Sequence, residues 1–142
     1  MSMDDFARDY LKRAEERLLA GEAALGRGSY PEVVRYSQEA TELSLKAALR
    51  LAGIEYPKVH DVGEILLLYR DRFPDRFARE AAGMARFSSE MMRKRSAALY
   101  GLEATGKPPG GIFDDPRQAA ADLKEAKRVH VLCKGLLRPK GP

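Results

Sequence analysis

Tryptophan and asparagine are missing from this 142-residue sequence, cysteine occurs once, and histidine and glutamine occur twice each. A single Cys133 excludes an intramolecular disulfide, and with only His60 and His130 beside it no ligand set at zinc-site spacing can be assembled. Carboxylates are plentiful, so a weak Mg²⁺ site made of oxygen ligands stays open, but no motif calls for a cofactor. Long hydrophobic runs are also absent. The longest purely apolar one covers residues 65–69, far short of a membrane span. The opening "MSMDDFARDY" lacks the basic and then apolar segments of a secretory signal, so a cytoplasmic location is expected. The scarcity of Asn, Gln and Cys together with high charge matches a profile seen in heat-adapted proteins.

Alternation with period two is missing as well, and β-branched residues are sparse. That excludes a strand-rich chain and leaves an all-α class. Charged residues make up 32% and hydrophobic ones 44%, a balance too apolar for disorder. The length suits one domain, expected over residues 1–137 with a disordered tail at 138–142. The net charge of +4 is uneven: residues 116–142 carry seven Lys/Arg against two Asp/Glu. A basic segment of this kind attracts phosphates or acidic partners, and it equally suits a helix C-terminus.

Helical periodicity and capping chemistry place four to five helices. Ser2 stands three before Asp5 and ahead of Ala7, Leu11, Ala14, Leu18 and Leu25, spaced as one helix face. Ser29, Pro31 and Glu32 have capping-box spacing and open a second helix that Gly53 stops. Asp61 and Glu64 repeat the box before a short stripe of Val62, Ile65, Leu66 and Tyr69. After Pro74 and Asp75 the chain reads as one long helix to Tyr100, with Phe77, Ala81, Met84, Ser88 and Met91 along one side. The glycine- and proline-rich residues 101–115 read as irregular, and Asp115, Pro116 and Gln118 open a last helix through Ala119, Leu123, Ala126 and His130. Short connections between long helices predict an antiparallel up-down bundle.

Several of these stretches together carry a resemblance. Residues 28–30 read Gly-Ser-Tyr, residues 40–49 read "ATELSLKAAL", and residues 57–61 read "PKVHD". Arg95, Ala98, Tyr100 and Gly101 follow as Arg-x-x-Ala-x-Tyr-Gly, ahead of a final helix. In this order and spacing the chain resembles the HEPN (higher eukaryotes and prokaryotes nucleotide-binding) domain over nearly its whole length. The resemblance implies a homodimeric helical bundle that works with a minimal nucleotidyltransferase in a toxin-antitoxin-like pair. Some members are ribonuclease toxins, whose Arg is followed four to six residues later by His. Here the positions four to six after Arg95 are Leu99, Tyr100 and Gly101. Tyr, with a pKa near about 10, is a poor general base at pH 7. Two alternatives stand beside a binding module: a metal-independent ribonuclease toxin, which would have to draw on Arg95, Tyr100 and His60, and a purely structural interaction partner.

The residues themselves leave alternatives. His60, just before an N-cap Asp, either packs at a helix entrance or serves as a base. His130, in line with Leu123 and Ala126, reads as core or interface packing. Glu42 and Lys46 have the spacing of a surface ion pair. The Met84, Met91, Met92 and Phe87 set reads as core or interface. Arg95 stands eleven positions from Met84, within about 20° of it around the helix, so it shares the apolar stripe and needs a partner. Either a carboxylate from another helix pairs with it, or it lines a cleft where an anion binds. Arg93 and Lys94 are expected to face water. Arg95 and Tyr100 are thus the candidate ligand-binding residues, for a nucleotide or RNA.

Overall fold

The computed structural model describes residues 3–56, 58 and 61–137. Ser2, His60 and the tail at 138–142 lie outside the described residues, and with them the expectations placed there. Among the described residues seven α-helices follow one another: α1 (Met3–Gly26), α2 (Tyr30–Leu51), α3 (Val62–Leu68), α4 (Asp75–Ala78), α5 (Ala81–Tyr100), α6 (Pro109–Ile112) and α7 (Pro116–Lys134). Among the described residues there is no strand, and only an isolated bridge joins Leu102 and Lys107. The long helices pack antiparallel as expected, and no described helix is long and apolar enough to cross a membrane.

Helix α2 occupies the centre, packed against α1, α5 and α7. Its sequence explains why. Val33, Val34, Leu45 and Leu49 supply apolar bulk, while Ser37, Ala40, Thr41, Ser44, Ala47 and Ala48 are small enough for neighbouring helices to approach from several sides. Buried hydroxyls need partners. Thr41 and Ser44 find theirs in their own helix, donating to the carbonyls of Ser37 and Ala40 at 2.7 Å each. The stripes read from the sequence on α1, α5 and α7 are buried around this axis. His130 is one of these buried residues, and its Nε2 lies 3.0 Å from the Leu11 carbonyl oxygen. Cys133 is wholly buried, and that burial pushes its thiol well above the ordinary value; the residue is core packing and no nucleophile.

The helix boundaries depart from the sequence reading in instructive ways. Both α1 and α2 end in paired main-chain bonds around a glycine with positive φ: Ser29 N–H to Ala24 and Gly28 N–H to Leu25 in the first, Ile54 N–H to Leu49 and Gly53 N–H to Arg50 in the second. That closure commits the Ser29 backbone to α1. The hydroxyl of Ser29 makes no cap bond to α2, Pro31 has no N–H to offer, and Glu32 turns to Arg35 at 3.0 Å. Asp61 and Asp115 do cap, accepting from Gly63 and Arg117 at 2.9 Å each. Their expected box partners go elsewhere: Glu64 faces solvent and Gln118 donates to Asp122 at 3.1 Å. Tyr69, expected in the α3 stripe, stands at that helix's C-cap and is exposed.

The long helix expected from Asp75 to Tyr100 is divided. Phe73 and Phe77 stack with ring centroids 4.7 Å apart. This anchors α4, and the Glu80 N–H then bonds back only three residues to Phe77, tightening the turn before α5 starts. The stretch after Tyr100 is more ordered than its glycine and proline content suggests. It holds a 3₁₀ turn (Glu103–Thr105), the Leu102–Lys107 bridge and α6. Gly101 makes that possible: its φ of 78° and ψ of −167° lie in a region essentially restricted to glycine, and a Cβ would fall on the Lys107 carbonyl oxygen. Gly101→Ala is therefore expected to lower unfolding free energy by about 2 kcal/mol or more, measured by urea denaturation; an unchanged midpoint would contradict this account of the turn.

Candidate functional site

The site grows out of the polar edge of α2. Gln38, Glu42 and Lys46 recur every four residues, so they stack along one side of the helix, with Arg35 and Glu39 on the adjoining row. Gln38 is buried, and its amide is used at both ends. Its Oε1 accepts from Arg95 Nη1 at 2.6 Å and its Nε2 donates to Glu42 at 3.0 Å. Lys46 completes the row by pairing with Glu42 at 3.2 Å. That pair is the ordinary helix-surface interaction its spacing implied.

Glu39 is shared. It accepts from Arg17 of α1 at 2.9 Å and from Arg35 at 3.2 Å, and Arg95 of α5 stands 3.9 Å away. Partial burial opposes the charge on Arg35, but Glu39 and then Glu32 more than offset it and raise the pKa of Arg35 above its ordinary value. Arg95 answers the question its register posed. It has its cross-helix partner, yet the side chain remains 44% exposed. The expectation that it would sit within the apolar stripe is corrected: its guanidinium lies over the polar edge of α2, because α2 offers Gln38 and Glu39 there where it offers apolar side chains nearer its own middle.

Arg95 lines a surface depression of about 230 Å³ together with Arg13, Arg17, Lys46, Glu39 and Glu42. Four cations face two carboxylates, so the depression is positive. Among the described residues no histidine lines it. A group of this kind can bind and orient an oxyanion. Tyr100 is 72% exposed and does not line the depression. Five residues separate it from Arg95, which turns it about 140° around α5. Within one chain the two candidates therefore serve different faces. Among the described residues no cluster of three or more His, Cys, Asp or Glu could hold a metal ion.

A model of the HEPN domain family matches residues 7–136, nearly the whole chain. The chain belongs to the HEPN family. Neither the curated proteins nor the solved structures compared with it give a match. For this HEPN domain, the residues that surround Arg95 were legible only in part from its sequence. Arg13 and Arg17 are four apart on α1, and Gln38, Glu42 and Lys46 are four apart on α2. Such spacing marks polar rows on each helix but says nothing of which rows meet.

Lys94 is the clearest correction beside the site. Expected to face water, its side chain is only 22% exposed and its Nζ lies 3.2 Å from Asp122, a carboxylate 5% exposed on α7. Glu90, 3.3 Å away, shares the ammonium. Asp122 needs that cation, since an isolated buried carboxylate is costly, while Arg93 remains exposed. Removing one partner of a buried pair is much worse than removing a surface charge. Lys94→Met is expected to cost about 2–3 kcal/mol and Arg93→Met under about 0.5 kcal/mol, both read by urea denaturation at pH 7. Equal costs would show that Lys94 is not the partner Asp122 depends on.

Proposed function

We propose that this HEPN domain is a binding module, not a catalyst, that presents the Arg95 depression to a phosphate-bearing ligand, a nucleotide or an RNA backbone. It acts as a homodimer beside a minimal nucleotidyltransferase in a toxin-antitoxin-like pair. The observation that carries this reading is the state of Arg95: anchored on Gln38, half open to solvent, and flanked by Arg13, Arg17 and Lys46. A guanidinium already held by one hydrogen bond loses less freedom when it takes a phosphate oxygen, and its planar fork has donors to spare. Tyr100, exposed on a different face of α5, offers a ring for stacking or for contact with a partner chain.

Family membership supports the nucleotidyltransferase partner and the dimer. The His that completes the ribonuclease motif is absent after Arg95, which supports a non-catalytic role. The test is a titration with ATP and with a short single-stranded RNA, followed by melting temperature and fluorescence anisotropy. Ligand binding to the folded state is expected to raise the melting temperature, and Arg95→Ala is expected to weaken binding at least about tenfold, or about 1.4 kcal/mol. Affinity should fall as salt rises. Failure of both ligands at millimolar concentration would overturn the reading, and RNA cleavage in EDTA that disappears in Arg95→Ala would replace it with a nuclease.

A further inference from the structure

A second depression lies away from Arg95. It has a volume of about 550 Å³ and is bounded by Tyr10 of α1, Lys46 and Arg50 of α2, and Glu55, Tyr56 and Lys58 of the loop that follows. Only Lys46 belongs to the rim of both depressions. A volume of this size falls in the range of small-molecule pockets.

Arg50 is the unusual residue. Its guanidinium stands 4.6 Å over the Phe6 ring and 5.4 Å from the centroid of Tyr10, so aromatic faces hold it in place. Its Nε is buried with no hydrogen-bond partner among the described residues. Although burial opposes its charge, Tyr10 and Tyr56 more than offset this and keep the guanidinium firmly cationic. Burial also raises the pKa of Tyr56, leaving a neutral hydroxyl able to donate. An arginine fixed by rings, beside a phenol O–H and two lysines, lines the depression with a donor set that suits a phosphoryl group.

Two features oppose an anion here, the carboxylate of Glu55 and the negative end of α2. The helix end counts for roughly half a charge, and its carbonyls at Leu49 and Arg50 are already bonded to Ile54 and Gly53. Lys46 is already paired with Glu42, but Arg50 and Lys58 outweigh both opposing features. We propose that this depression is a second anion site, separate from the one at Arg95, which takes a phosphate or pyrophosphate group carried on a small molecule, with Arg50 as anchor and Tyr56 as hydroxyl donor.

The test uses inorganic pyrophosphate as probe and is run in the Arg95→Ala background, so that the first depression does not contribute. Calorimetric titration is expected to show one binding event in Arg95→Ala, weakened at least tenfold by adding Arg50→Gln and three- to tenfold by adding Tyr56→Phe. Tyr56→Phe keeps the ring, so it decides the matter if Arg50→Gln does not fold by circular dichroism. No binding in Arg95→Ala, or binding that Tyr56→Phe and a folded Arg50→Gln both leave at full strength, overturns the second site. Those results leave the Arg95 reading standing, whereas loss of ATP and RNA binding at Arg95 leaves this one untouched.

Discussion

Glu39 is the carboxylate on which three helices meet. Arg17 reaches it from α1, Arg35 from its own helix α2, and Arg95 approaches from α5. Attraction between unit charges about 4 Å apart at a protein surface is about 4 kcal/mol before desolvation and side-chain ordering are counted, and those costs remove much of it. The geometric consequence survives the subtraction. A single negative charge gathers three guanidiniums, and two of them, Arg17 and Arg95, join Arg13 and Lys46 around a depression that holds only the carboxylates of Glu39 and Glu42.

This polar edge depends in turn on the apolar packing beneath it. Small residues on α2 let α1, α5 and α7 close in around Leu45 and Leu49, which are fully buried. Burying such a side chain is worth about 1.5–3 kcal/mol, several times a surface ion pair. Hydrophobic contact therefore decides the positions of the helices, and charge decides which faces of α2 and α5 can look at each other. Gln38 belongs to both tiers, buried like a core residue yet bonded to Arg95 and Glu42.

Much of the fold could be read in the sequence because a helix stripe needs only local spacing. The buried sets on α1, α5 and α7 follow from periodicity, and glycine stops from positive φ at Gly28, Gly53 and Gly101. Depth was harder. Register put Arg95 on the correct side of α5 but not at the correct depth, since depth depends on where α2 changes from Val and Leu to Gln and Glu opposite it. Lys94 was misjudged for the same reason: its partner Asp122 is 28 residues away on α7, and nothing in the local pattern announces that contact. Capping boxes failed where a partner on the same helix competed, as when Gln118 turned to Asp122 four residues on and Glu32 to Arg35 three residues on.

The central claim is that Arg95 is an anchored cation, held to α2 through Gln38 while one side stays open. A double-mutant cycle measures that anchor directly. Unfolding free energies of the parent, Arg95→Ala, Gln38→Ala and the double variant give the coupling between the two side chains. The structure predicts about 1 kcal/mol or more, the worth of a hydrogen bond with one charged partner. Effects that add to within about 0.3 kcal/mol would mean the two residues do not interact, and the Arg95 depression would lose its fixed cation.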